Sequence, residues 1–463
     1  MKIKKYDFSQ VLVFICAILL IIGQLTVGFS NIFFSDGMYV NYNITVNFIS
    51  AIYGICMTAA AIMTILIVKW IYKWYYSYIL FIIAALILRL LILFIWKIEP
   101  TSDFKVTLDL SKILCDTQIV SWKETLDNMP TPYNNEWSAH MPFIMYQTFI
   151  LKLFGGNFLS IQIVNGLLSF LTCIFASDIA KKLFGDKAGI FTLAASGLNP
   201  VVLFFLPVLT NQHSALFFFT AALWVYIRKP VKNKYINIIL CGVLTALSHL
   251  LRPEMYIVII AFGVLCVYDI LKNKDLKKVI CFVIYTVVFF GSLFAADKII
   301  QGNITNRSIL SGNLKYKIVV GLNKETLGCW SSEDNLLVND KKKLNETLKT
   351  RITPPPVGLM IGKAIFQTGE FTYDWSMNIN KHPNISQLVV RRFGSAFMAL
   401  IILMSCGTLI NYRKKDELMI FTFIILCFAV VFTVIEIQPR YSYLLISIFP
   451  ILSSGYTKNV FRK

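Results

Sequence analysis

The chain has 463 residues, 57% of them hydrophobic, a formal net charge of +19 and a mean hydropathy of +0.66. A soluble chain of this length would divide into roughly two to four domains with interspersed charge. Here apolar runs of about twenty residues recur instead, the length that spans a bilayer, and Lys and Arg fall in small clusters between the runs, which argues against a nucleic-acid face.

The N-terminus opens with a basic stretch and an apolar run that lacks a small-residue cleavage site, so it reads as an anchor. Spans are expected near 9–28, 44–68, 77–97, 157–180, 188–207, 211–227, 235–251, 254–271, 278–299, 392–412, 417–436 and 440–457. Every second connection is basic. The first basic stretches hold Lys2, Lys4 and Lys5; Lys69 and Lys73; and Lys181, Lys182 and Lys187. Arg228, Lys229, Lys232 and Lys234 follow, then Lys272, Lys274, Lys277 and Lys278. The last are Arg413, Lys414 and Lys415, and Lys458, Arg462 and Lys463. By the positive-inside rule these connections and both termini are cytoplasmic. The expectation is an all-α polytopic membrane protein with about 12 transmembrane helices and two outer-face loop regions. It divides into an N-terminal pair (1–76), a core (77–299) carrying outer loop 98–140, an extracytoplasmic segment (300–391) and C-terminal helices (392–463).

Residues 141–154 are apolar but too short to span, and counting them would invert every later loop. They are expected as an interfacial or re-entrant helix on the outer side. The outer loop 98–140 carries Glu99, Asp103, Asp109, Asp116, Glu124, Asp127 and Glu136. Within it Val106, Leu110, Ile113 and Leu114 recur at helical spacing, which predicts an amphipathic surface helix. In the segment 300–391 a helix is expected near 334–350, ended by Pro354-Pro355-Pro356. No internal repeat supports an inverted-repeat transporter.

Most of the ten cysteines lie in apolar runs, where Cys behaves as a small hydrophobe. Cys115 and Cys329 lie outside them, without a disulfide spacing signature. No Cys/His cluster has zinc spacing, and there is no glycine-rich phosphate loop or nucleophile elbow. Asn-x-Ser/Thr triplets at Asn43, Asn303, Asn306, Asn345 and Asn384 fall on the outer side; in an Asn-rich chain of bacterial character, chance accounts for them.

Ionisable groups in or beside spans are costly and mark function. They concentrate at outer helix ends: Asp103 after span 77–97, Arg252 and Glu254 around Pro253, Glu436 and Arg440 around Gln438-Pro439, and Asn211-Gln212-His213 after Pro207. Carboxylates there can activate a hydroxyl, and guanidiniums can hold phosphate bidentately. Each has a plainer reading. An outer Asp can be a solvated charge, Arg440 a snorkelling anchor, Glu436 and Arg440 a pair across one helical turn, and His213 and His249 packing groups. Arg89, deep in span 77–97, is either a site residue or a structural ion-pairing group.

These residues sit in a recognisable order. An Asp follows a span containing Arg89; then come Met141-Pro142, LKLFGGN (151–157), IVNGLLSFLTCIFASDIAKKLFG (163–185), LNP (198–200), LLRPE (250–254) and QPRYSY (438–443). The chain thereby resembles polytopic lipid-phosphate-sugar glycosyltransferases of the C fold class, in the bacterial branch related to protein O-mannosyltransferases and aminoarabinose transferases. GLNKETLGCWSSED (321–334) resembles the outer loop of Gram-positive members of that branch. The likeness covers roughly 77–457, and the first two spans look like an addition.

The resemblance implies a polyprenyl-phosphate-linked sugar donor, an extracytoplasmic acceptor (glycan, teichoic acid, lipid or protein) and transfer with inversion. Asp103 matches the acidic residue that serves as base or metal-linked group. Relatives carry a second carboxylate directly after it, where this chain has Phe104. Arg252 and Arg440 match basic positions near the lipid phosphate, with Arg89, Glu254, His213 and Tyr441 as further substrate-binding candidates. A divalent metal stays open as cofactor. A flippase of a lipid-linked saccharide or a glycan polymerase or ligase are the competing readings.

Overall fold

The computed structural model describes residues 8–34, 48–128, 137–274, 276–310, 313–373, 375–378, 383–413 and 415–460. Among the residues named above, Lys2, Lys4, Lys5, Asn43, Glu136, Lys414, Arg462 and Lys463 lie outside the described residues. The described chain is helical throughout. Nine of its helices are long and apolar enough to cross a membrane: Phe8–Phe33, Ile49–Ile71, Ser77–Ile95, Phe158–Phe184, Asp186–Phe205, Lys234–Leu251, Lys277–Asn303, Pro383–Asn411 and Asp416–Val434. The other three expected spans are filled by Gln212–Arg228, Tyr256–Asn273 and the succession Pro439–Ser447 and Ile448–Val460. Helices thus occupy the described residues of each expected span, and among the described residues nine meet both the length and the hydropathy of a crossing.

Local signals set the boundaries. Gly185, at φ +103, takes the left-handed bend between Phe158–Phe184 and Asp186–Gly197. Asn157, Asn199 and Asn233 each cap the helix that follows, accepting from the backbone N–H of Leu159, Val201 and Tyr235. Two boundaries differ from expectation. The span expected from 392 begins at Pro383, because a π-helical turn over Ser386–Phe393 carries Arg391 and Arg392 inward. The last span opens as a 3-10 helix, Pro439–Ser447, with proline at its first position.

The bundle has an apolar core with buried polar groups within it, and it also presents apolar side chains outward, as a protein solvated by lipid does. Ile79, Leu80, Ile83, Ile87, Leu91 and Phe94 of Ser77–Ile95 all face outward. Small residues let helices approach: a Cβ on Gly197 would sit 2.8 Å from the Ala85 methyl. At the basic ends acids pair with bases, Arg228 with Asp178 at 2.8 Å and Lys278 with Asp269 at 3.2 Å.

The segments 98–140 and 300–391 share an apolar cluster. Leu110 and Leu114 of helix Ser102–Asp116 pack with Trp122, Leu126, Met141 and Ile144, with Ile300 in the last turn of helix Lys277–Asn303, and with Ile304 and Ile309 beyond it. Truncating Leu114, fully buried here, would cost about 2–5 kcal/mol. Polar links reinforce the join: Ser138 donates to the Ser308 carbonyl at 2.7 Å, and Ser308 to Asp297 Oδ1 at 2.8 Å. Residues 141–154 form one 14-residue helix, Met141–Phe154, seated on Ser102–Asp116 and Phe158–Phe184. The helix expected near 334–350 is split into Ser332–Asn335 and Lys341–Ile352, the second capped by Asp340.

The N-terminal hairpin is bonded to the outer segment. Gln24 donates to the Thr368 carbonyl at 3.1 Å, Asn31 to Glu370 Oε2 at 2.8 Å, and Arg392 to the Ser50 carbonyl at 2.7 Å. All ten cysteines are free.

Candidate functional site

Asp103 stands in the first turn of Ser102–Asp116, which starts from Ser102 in the left-handed region at φ 49. Its neighbour Phe104 is buried, edge-on to Trp375 at 4.9 Å, so the aspartate is fixed at its base while its side chain is 54% exposed. Across from it is Arg440. The guanidinium lies 5.0 Å from the Phe104 ring centre and 5.3 Å from that of Trp375, against an edge-packed ring pair that suits a planar cation. Arg440 Nε donates to Gln438 Oε1 at 2.7 Å, and Nη2 is 3.9 Å from Asp103 Oδ2. Gln212 donates to the Arg440 carbonyl, tying the 3-10 helix to the start of Gln212–Arg228.

Arg252 extends this surface. The turn at Pro253 sets its guanidinium 4.9 Å from the Tyr441 ring centre; Nη2 pairs with Glu254 Oε1 at 2.5 Å, and Nη1 donates to Asn211 Oδ1 at 3.3 Å. Its Nε is buried with no protein acceptor among the described residues. A cleft of ≈ 210 Å³, partly open to solvent, lies beside it, lined by Gln212, Arg252, Glu254, Met255, Tyr443 and Leu444.

Glu436 is almost fully buried, which an isolated carboxylate could not sustain. It does not pair with Arg440 across a helical turn, because residues 436–438 are not helical. Its partner is Lys317 from the long outer segment, whose ammonium also lies 5.1 Å from the Trp137 ring centre. His140, half-buried, faces the charges of Lys317, Asp103, Arg252 and Arg440. Burial first, then the field of Lys317, pushes its imidazole down to about 4, so it is neutral near pH 7.

The structure thus brings Asp103, Arg440, Tyr441, Arg252 and Glu254 to one end of the bundle. His213 sits inside it, Nδ1 2.9 Å from the Tyr443 hydroxyl and Nε2 3.3 Å from the Val208 carbonyl. Arg89 is elsewhere, wholly inside the helix interface. Its nitrogens reach Ser169 Oγ, the carbonyls of Ala85, Gly197 and Ser196, and Cys173 Sγ. Those five acceptors account for its burial without a substrate. Lys317, His140 and Trp375 escape sequence reasoning; only His140, directly before Met141-Pro142, carries a local signal. Among the described residues, no group of three or more His, Cys, Asp or Glu is placed to hold a metal.

Residues 140–295 match the profile of the family described as dolichyl-phosphate-mannose-protein mannosyltransferases. The matched stretch starts at His140 and includes the Asn211–His213 and Arg252–Glu254 turns. No curated protein matches the chain. Two solved structures of ArnT from Cupriavidus metallidurans are similar to it. The apo form has a TM-score of 0.36 and 14% identity over 82% of this chain and 76% of that one. The form bound to undecaprenyl phosphate has a TM-score of 0.35 and 13% identity over 83% and 77%. The family match bears out the resemblance read from the sequence and the assignment of a membrane glycosyltransferase.

Proposed function

We propose that this membrane glycosyltransferase, of the dolichyl-phosphate-mannose-protein mannosyltransferase type over residues 140–295, moves a sugar from a polyprenyl-phosphate donor to an acceptor on the extracytoplasmic face. The observation that carries the reading is the meeting of Asp103 with Arg440, 3.9 Å apart at the outer ends of two helices. One group accepts a proton and the other holds phosphate.

The acceptor hydroxyl oxygen attacks the anomeric carbon from the face opposite the phosphate, so configuration inverts. The anomeric C–O bond breaks, and its electron pair leaves on the phosphate oxygen of the polyprenyl phosphate. The acceptor proton passes to the Asp103 carboxylate, a general-base step. Negative charge grows on the departing phosphate, where Arg440 and Arg252 stabilise it. The unsatisfied Arg252 Nε supports a phosphate oxygen as its partner. The bilayer supplies the third component, holding the prenyl chain so that its phosphate stays at the depth of these helix ends.

The test is a transfer assay with purified full-length protein and radiolabelled polyprenyl-phosphate sugars. Transfer to a cell-envelope acceptor is expected. Binding of donor with no transfer to any envelope fraction would sink the enzyme reading in favour of a carrier.

A further inference from the structure

We propose that Glu436 and Gln438 are positioning residues: Glu436, held by Lys317, fixes the Gln438 amide, which holds the Arg440 guanidinium in the orientation that meets a lipid phosphate. The inference rests on Arg440 being the phosphate-binding group proposed above.

The bonds run in one direction. Glu436 Oε2 accepts from Lys317 Nζ, and the Glu436 backbone N–H donates to the Lys317 carbonyl at 2.8 Å, so the two residues are joined twice. Glu436 Oε1 accepts from Gln438 Nε2 at 2.8 Å and from the Tyr441 hydroxyl at 3.3 Å. Gln438 Oε1 in turn accepts from Arg440 Nε at 2.7 Å.

A carboxylate only accepts and a guanidinium only donates. The amide between them therefore has a single workable orientation, nitrogen toward Glu436 and oxygen toward Arg440. Arg440 Nε is consumed by that bond, and the edge-packed rings of Phe104 and Trp375 flank the guanidinium on one side. Its Nη edge is left facing the Asp103 side of the site, the edge with which arginine takes a phosphate. Without Gln438 the guanidinium would be free to turn against the ring pair. The arrangement also explains an expensive feature. A carboxylate 1% exposed is retained where a neutral residue would pack at less cost, because only a fixed anion polarises the amide.

The experiment is a double-mutant cycle on purified full-length protein, reading affinity for undecaprenyl phosphate directly and donor KM against kcat in parallel. Arg440→Ala should weaken lipid binding by about tenfold to a hundredfold, the loss expected for a charge-assisted contact. Gln438→Leu should weaken it by about three- to tenfold, raising donor KM more than it lowers kcat. The double variant should bind no worse than Arg440→Ala alone. An equal loss from Gln438→Leu in both backgrounds would show that Gln438 acts on the fold or the lipid and not through Arg440, and would overturn the inference. So would wild-type affinity in Arg440→Ala. Those failures leave the transferase reading standing. That reading fails separately, if wild-type protein binds the lipid phosphate and never transfers sugar, and the cycle still decides the positioning roles. Absence of lipid-phosphate binding by wild type would overturn both.

Discussion

Arg440 Nη2 and Asp103 Oδ2 face each other at 3.9 Å, although 337 positions separate them (440 − 103). The distance is longer than a direct hydrogen bond. The two charges hold each other in place yet leave room on both for a substrate.

Asp103→Asn keeps the size and hydrogen bonding of the side chain and removes its basic charge. Turnover should fall by about a hundred- to ten-thousand-fold, the usual worth of general-base assistance, with normal membrane insertion. Asp109→Asn and Asp116→Asn should lose far less. Near wild-type transfer by Asp103→Asn in a purified assay would move the active site elsewhere.

Arg440→Lys keeps the charge but loses the planar fork and the bond to Gln438. Donor use should recover only partly relative to Arg440→Ala, while acceptor KM stays the same. Full activity in Arg440→Lys would mean that a point charge suffices and that the contacts with the Phe104 and Trp375 rings are unnecessary.

The alternating basic connections predict which ends face outward. Single cysteines placed near Asp103 and near Asn335 should react with an impermeant thiol reagent on intact cells. One placed within 229–234 should not. Reversed labelling would put the charge cluster on the cytosolic side and remove the outer-face mechanism.

His140 gives a pH signature. In the unfolded chain it takes a proton below about 6.5, and in the folded protein only below about 4. The unfolded state binds more protons between those values, so stability declines as pH falls through that window. His140→Gln should remove this contribution: wild type should lose more Tm than the variant between about pH 7 and pH 4.5. Equal losses would mean that His140 titrates normally.

Lys363 is almost fully buried, and its ammonium donates to the carbonyls of Gly321 at 2.6 Å and Ile435 at 2.7 Å. Burial lowers it from 10.5 to about 7. Here too the unfolded chain holds the proton more tightly, so stability should rise with pH between about 7 and 10.5. Lys363→Met strands both carbonyls, a loss of about 1–3 kcal/mol for each. The variant should melt lower than wild type near pH 8 and show a flatter pH response above it. An unchanged Tm in Lys363→Met would show that water replaces the amine.

Much of this was legible from charge and periodicity. The succession of helices follows from the recurring apolar runs, and Asp103, Arg252 and Arg440 stand out because a charge at a helix end has few neutral explanations. The same logic selects Arg89, and its limit is instructive. A lone arginine within a span reads equally as a site residue or a structural group, and here five acceptors surround it, four on other elements and one on its own helix. Lys317 and Trp375 were not legible because nothing local distinguishes a lysine or tryptophan in a long polar segment. They acquire meaning only when the chain folds back, Lys317 against Glu436 and Trp375 against Arg440. Helix Pro383–Asn411 starts early for a related reason: buried arginines satisfied by Asn31, Ile32 and Ser50 leave no sequence trace.

The join between the outer segment and the last hairpin has a mechanical consequence. The Glu436 N–H donates to Lys317 O and the Ile437 N–H to Gly328 O, and a Cβ on Gly321 would lie 2.3 Å from the Val434 oxygen. Two backbones that close cannot slide or hinge apart without breaking several bonds at once. Arg440 therefore rides on a stiff jaw. The start of the Asp103 helix meets it through one long ion pair and the Phe104 ring, which also packs on Trp375. A bulky lipid-linked sugar that needs an opening will find it along the line between acid and guanidinium, with the Asp103 helix as the yielding side.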